Sequence, residues 1–192
     1  GYGICCSRTA GKDPSRNFRF QYEEKQKAAL LKQRDKEDSY IRLARKTIET
    51  YILNGKILDL PKNIDQEMTA QKAGVFVSIK EDGRLRGCIG TIQAVQDSIA
   101  EEIIANAVSA STKDPRFSPI EPWELERLSI SVDVLGEKEK IASPDQLDPT
   151  RYGVIVTKGR KRGLLLPNLE GIDTVEDQIA IAKRKAGIAE EE

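Results

Sequence analysis

The sequence predicts an α+β domain, mainly antiparallel sheet packed with helices, and three observations carry that prediction. Two β-rich stretches are folded back on tight turns, one at Glu81-Asp82-Gly83 and one at the basic tip Lys158-Gly159-Arg160-Lys161-Arg162. Runs joined this way pair as antiparallel hairpins. Amphipathic stripes of helical period lie before, between and after them. Helices and hairpins also interleave without the strand–helix–strand cadence of a parallel sheet.

From Gly1 to Asp38 the chain is polar, and its apolar residues Ala28, Ala29, Leu30 and Leu31 form one clump rather than a stripe. This reads as a solvated linker helix or a frayed arm without a core of its own. Ser39 is the expected N-cap of the first core helix. Behind it Tyr40, Leu43, Ala44, Thr47, Ile48, Tyr51 and Ile52 recur at helical steps, and Asn54-Gly55 ends the helix. Leu60-Pro61 and Asn63 open an irregular connection.

The first hairpin pairs Gly74–Lys80 with Arg84–Thr91. Gly87 and Gly90 stand where a strand interior prefers side chains, which points to a bulge or to close approach of backbone or ligand. Ser98 with Glu101 has the form of a capping box, and Ile99, Ile103, Ile104, Ala107, Val108, Ala110 and Ser111 form the next stripe. The step Asp114-Pro115 disfavours further helix. A short turn begins at Pro122, and Leu128–Leu135 alternates as a half-buried strand. The second hairpin follows, and then a helix begun at Thr174, with Val175, Ile179, Ala182 and Ala186 as its inner face and Gly187 as its end.

The composition excludes whole classes of chemistry. None of the 192 residues is histidine, so Ser-His and Cys-His couples and histidine metal sites are absent. Catalysis would have to run on Cys, Lys, Tyr or carboxylates, and Cys88 is the single plausible nucleophile. Lysine and arginine number 31, as do aspartate and glutamate, which leaves no global field to steer nucleic acid or an anionic membrane. No apolar run reaches the length of a membrane span. Cys5, Cys6 and Cys88 form neither a disulfide framework nor a zinc spacing, so reduced thiols in the cytoplasm are expected, with no metal and no cofactor.

The most informative stretch is Arg84-Leu85-Arg86-Gly87-Cys88-Ile89-Gly90. A thiol between glycines and close to two guanidinium groups is placed to favour thiolate, and glycines admit a ligand to the main chain. Strict alternation sets Arg84, Arg86, Cys88 and Gly90 on one face unless a bulge intervenes. The competing reading is a small cysteine buried in a tight strand. Downstream, Lys113-Asp114-Pro115-Arg116-Phe117 offers Arg116 as an anion ligand, or else a turn closed by a local Asp114–Arg116 contact. Arg84, Arg86 and Arg116 are expected to converge on one face. The basic tip at 158–162 lacks interleaved aromatic residues, so it reads as a solvated hairpin end rather than a nucleic-acid site.

The hexapeptide Leu85–Gly90 resembles the signature of the AMMECR domain family. The similarity continues through Lys72–Ile79, Asp114–Pro119, Leu128–Leu135, Tyr152–Val156, Arg162–Pro167 and Lys185–Ile188. It implies an AMMECR-like fold, with a larger part built from both ends of the domain and a smaller inserted part, over residues 39–192. It also implies a cleft where the signature and neighbouring motifs gather, and no established reaction. In the AmmeMemoRadiSam type of family member this domain follows a Memo-like domain and is encoded beside a radical SAM enzyme. Gly1-Tyr2-Gly3 is similar to the end of such a Memo-like domain, so residues 1–38 read as its end or as a linker. The chain stops at Glu192, where family members continue into a final aromatic strand, so that strand is expected to be missing.

The leading expectation is a cytoplasmic accessory domain that binds a small anionic ligand. Its site would be a cleft formed by Arg84, Arg86, Gly87, Cys88, Gly90, Asp114 and Arg116, working with Memo-like and radical SAM partners. The alternative is a protein-interaction or scaffold module in which the signature is structural.

Overall fold

A computed structural model describes residues 17–169 and 171–189. Gly1–Gly3, the Cys5-Cys6 pair and the terminal Glu190–Glu192 lie outside the described residues. The architecture is α+β with antiparallel sheets, as the turns and stripes predict. The chain divides into two consecutive units, one ending at Leu135 and one beginning at Gly136. The larger and smaller parts implied by the resemblance are present, but this division does not insert one into the other.

In the larger unit the polar arm forms a helix, α1 (Phe18–Arg34), whose aromatic residues Phe18, Phe20 and Tyr22 are exposed. It is tethered at its end, where Arg34 Nη2 donates to the Leu125 carbonyl at 2.6 Å. Next, the buried Glu37 carboxylate receives the Arg45 guanidinium, which also reaches the Leu128 carbonyl. The packed region therefore begins within the segment read as solvated. Helix α2 (Ser39–Asn54) is capped by Asp38, whose Oδ1 accepts from the Ile41 N–H at 2.9 Å. Ser39, the expected cap, is instead its first residue. Both residue types cap well, and the extended backbone at Asp38 decides between them. Leu43, Ala44, Thr47 and Ile48 are buried, as the stripe requires, and Gly55 closes the helix with φ +66°. A short helix, α3 (Gln66–Ala70), buries Met68 in a connection where the sequence shows no stripe.

Strands β1 (Val75–Glu81) and β2 (Arg84–Gly90) form the first hairpin, and β3 (Leu128–Val134) pairs with the other side of β1, giving the order β2-β1-β3. Asp82 and Gly83 both take positive φ, the type I′ geometry that suits a right-handed hairpin twist. Val75, Val77 and Ile79 are fully buried on one face of β1, against α4 (Ile99–Thr112) with Ile99, Ile103, Ala107 and Ala110. Ser98 caps α4, its Oγ accepting from the Glu101 N–H. Gly87 explains how closely helix and strand meet: a Cβ there would lie 2.2 Å from the Ala110 carbonyl oxygen.

The smaller unit pairs β4 (Val154–Lys158) with β5 (Lys161–Leu165) and packs them on α5 (Val175–Ala186). Val154, Leu165 and Ala182 form its core. Gly163 repeats the device seen at Gly87, since a Cβ there would lie 2.1 Å from the Ala182 carbonyl oxygen. Ala182 faces inward as expected, but beside it sits Gln178 rather than an apolar residue, its Nε2 donating to the Tyr152 carbonyl at 2.8 Å. No described helix is long and apolar enough to cross a membrane.

Candidate functional site

The site grows from an irregularity in β2. Opposite β1, Gly87 pairs with Ile79 and Leu85 pairs with Lys80, so Arg86 is an extra residue with no partner. This is the bulge that the two glycines suggested. It changes every face assignment on the N-terminal side of Gly87. Cys88 lies opposite Ser78 and Leu85 opposite Lys80, on the face away from α4, whereas Arg84 falls opposite Glu81 in line with the core-facing positions. The expected convergence of Arg84, Arg86 and Arg116 does not form: the three enter separate environments.

Arg86 turns toward the loop before β3. Its Nε donates to Glu124 Oε1 at 2.7 Å, Nη1 to the Ser118 carbonyl at 2.7 Å, and Nη2 to both Glu124 Oε2 and the Pro119 carbonyl at 3.1 Å. All three guanidinium nitrogens are thus engaged. Burial pushes the Glu124 carboxyl upward, but the Arg86 guanidinium and the Glu121 N–H outweigh it and hold the group below its ordinary range. Arg84 is exposed at the start of β2.

Cys88, Asp114 and Arg116 do come together. Asp114 Oδ2 accepts from the Cys88 N–H at 2.9 Å and from Arg116 Nη2 at 2.7 Å. Its Oδ1 accepts from the Arg116 N–H at 3.1 Å and from Arg116 Nε at 2.9 Å. Arg116 Nη2 also donates to the Cys88 carbonyl at 3.2 Å. The guanidinium, with the two backbone N–H groups, holds the buried Asp114 carboxyl well below the usual carboxylate range. The Arg116 side chain nonetheless keeps 54% of its surface in solvent, and its Nη1 makes no hydrogen bond among the described residues. It lies over the Phe117 ring at 5.4 Å.

The Cys88 thiol is partly exposed and receives a hydrogen bond from Ser78 Oγ at 3.2 Å. In register with it across the sheet stands Ser131, and two pairs further along, on the same face, are Gly90, Phe76 and Asp133. Gly90 is needed for packing, because a Cβ there would lie 2.3 Å from the Phe76 ring. Asp133 is absent from the sequence-derived site. Burial pushes its carboxyl above the ordinary range, and no side-chain or backbone donor faces it among the described residues. Its signal in the sequence is only that of a polar position in an alternating strand. Among the described residues no group of three His, Cys, Asp or Glu side chains gathers as a metal site would require.

Comparison with known proteins places this geometry among relatives. A family model described as AMMECR1 matches residues 41–192. A Clostridium acetobutylicum protein is 47% identical over 189 residues, covering 98% of this chain and 40% of its own length. A Thermotoga maritima protein is 47% identical over 155 residues, covering 80% of this chain and 89% of its own. The chain thus spans about two fifths of the first relative and most of the second. The crystal structure of an uncharacterized protein from Pyrococcus horikoshii aligns with a TM-score of 0.74 and 34% identity, over 79% of each chain.

Proposed function

Since the chain belongs to the AMMECR1 family, we propose that it is a cytoplasmic accessory domain holding a small anionic ligand at the β2 edge, beside Cys88 and Arg116. The observation that carries this reading is the state of Arg116. Asp114 fixes the guanidinium through Nε and Nη2, Nη2 also reaches the Cys88 carbonyl, and the side chain keeps 54% of its surface in solvent with no hydrogen bond at Nη1 among the described residues. A cation oriented in advance in this way loses little freedom when it captures a carboxylate or phosphate. Arg86 has no such capacity, because Glu124 and two carbonyls already saturate it. Its role in the proposal is to hold the bulge in β2, two residues before Cys88.

The relative that is more than twice as long as the matched region has room for a further domain. This fits an accessory role beside a Memo-like domain and a radical SAM enzyme. A second reading is a scaffold or protein-interaction module, favoured by one specific observation: Gly87, Gly90 and Arg86 each have a complete structural reason to be what they are.

Thiol labelling with mass mapping of the modified peptides separates the readings. In the native protein Cys88 is expected to label readily, and millimolar phosphate or small dicarboxylates are expected to slow it. Arg116→Ala should abolish that protection while leaving labelling itself intact. A Cys88 that reacts only in denaturant, or whose labelling ignores anions, sinks the ligand reading and favours the scaffold.

A further inference from the structure

One face of the β2-β1-β3 sheet is turned away from α4. The register places Lys80 at one end of it, the small side chains of Cys88, Ser78 and Ser131 across the middle, and Phe76 beside Asp133 at the other end. The face is therefore polarised. Lys80 is exposed and Arg116 stands at the β2 margin against Cys88, whereas Asp133 lies two strands across from Cys88 and two residues further along. With strands about 4.8 Å apart and a rise of about 3.4 Å per residue, the Cα atoms of Cys88 and Asp133 are about 12 Å apart. The middle row carries only hydroxyl and thiol groups, too short to bridge the two ends. Asp133 is the unanswered group. It is half-buried, no donor faces it among the described residues, and burial alone pushes its carboxyl above the ordinary range. Beside it the Phe76 ring packs against Gly90, where a Cβ would meet it at 2.3 Å. A carboxylate next to an aromatic ring suits an ammonium group, which gains a charge-assisted hydrogen bond from one and a cation–π contact from the other.

Building on the anion reading of Arg116 given above, we propose that the ligand is a small zwitterion, its anionic group on the Arg116 guanidinium and its ammonium group on Asp133 beside Phe76. The two ends of the face select this class together. An anion without an amine leaves Asp133 as it is, half-buried and without a donor. An amine without an anion leaves the exposed part of Arg116 unused. The separation of about 12 Å demands several atoms between the two charges. Glycine is too short, and an ω-amino acid of the length of 6-aminohexanoate suits the span. Binding also reverses the state of Asp133, because an ammonium at hydrogen-bond distance favours the ionised carboxylate that burial disfavours.

Protection of Cys88 in the full chain against iodoacetamide, read by mass mapping of its peptide, tests the zwitterion with two matched series. One is glycine, 4-aminobutyrate and 6-aminohexanoate, and the other is acetate, butyrate and hexanoate, with phosphate as the reference anion. In the wild type 6-aminohexanoate should protect at a concentration about tenfold lower than hexanoate, whereas glycine should show no such advantage over acetate. Asp133→Asn should erase the advantage while hexanoate protects as before, and Asp133→Glu should keep most of it. The asparagine variant retains the side chain's shape and removes a half-buried charge, so it is expected to fold, and far-UV circular dichroism checks this. Should it misfold, Asp133→Ser replaces it, since serine already occupies positions 129 and 131 on the same face of β3. Protection by phosphate without any advantage of 6-aminohexanoate over hexanoate, or an advantage that survives the loss of the Asp133 carboxylate, overturns the zwitterion and leaves the anion site standing. No protection by phosphate or by either series overturns both.

Discussion

Arg86 and Asp133 show two opposite fates of a charged residue beside the same sheet. Arg86 is nearly enclosed, with 14% of its side chain accessible, and its partner Glu124 is at 4%. Removing one member of such a pair leaves the other buried and uncompensated, at a cost of about 3–5 kcal/mol. That is a large share of the stability of a typical domain. Arg86→Ala is therefore expected to lower the urea midpoint steeply, whereas Arg84→Ala, at an exposed position, should change it little. Asp133 is half-buried, with no donor facing it among the described residues. Its folded carboxyl titrates above the unfolded one, so its ionisation opposes folding once the pH exceeds the folded value, and that penalty vanishes below the unfolded one. Asp133→Asn should stabilise the protein at neutral pH, with the gain disappearing below about pH 4. Equal gains at both pH values would show that charge is not the cause. Neither fate was legible in the sequence. The Arg86–Glu124 pair joins residues 38 positions apart, and no spacing rule reaches that far. The Asp114–Arg116 contact, two positions apart, was visible because it is local.

At the scale of elements, the signals that work are those confined to one turn or one period. The hairpin at Asp82-Gly83, the stripe of α4, the caps at Ser98 and Thr174 and the positive-φ ends at Gly55 and Gly187 all follow from short-range chemistry. Helix α3, five residues long, is too short to show a period. Glu102 and Asn106, buried in α4, were also hidden, since a stripe is read mainly from apolar positions. Glu102 sits within that helix with 1% of its surface accessible, and accepts from the Val95 and Gln96 N–H groups at 2.7 and 2.8 Å and from the Thr91 hydroxyl at 2.7 Å. It pins the loop between β2 and α4. Glu102→Gln turns an amide toward one of these donors and leaves it unanswered, a loss of about 1–3 kcal/mol. Hydrogen exchange at Val95 and Gln96 should rise well before exchange in the centre of α4. Unchanged protection of the two amides would mean that the loop holds itself.

For the whole molecule, the even balance of 31 positive and 31 negative side chains hides an uneven distribution of buried charge. Glu102, Asp114 and Glu124 are all buried in the larger unit and are all held below their ordinary range by donors that prefer the ionised form. For each, the stabilisation is complete above the unfolded value and is lost as the pH falls through the folded one. Acid should thus act first on the larger unit. Below about pH 4, exchange protection in β1 and α4 is expected to fall before protection in β4 and α5. Loss in the opposite order would place the acid-sensitive groups elsewhere. The fold class was legible at this scale because it depends on the order of hairpins and stripes. The separation of the arginines was not, because a single bulge residue reverses the face of everything on one side of it.

The bracket formed by Asp114 and Arg116 has a consequence beyond any ligand. Cys88 lies on a strand at the margin of the sheet, and its N–H and C=O are the groups an incoming strand would grasp. A carboxylate and a guanidinium from the same chain occupy both. The sheet is finished at that position with side chains where another strand would otherwise dock, a guard against edge-to-edge aggregation. Copies of the chain that meet there find no open template, and contact between them is left to surfaces of other kinds.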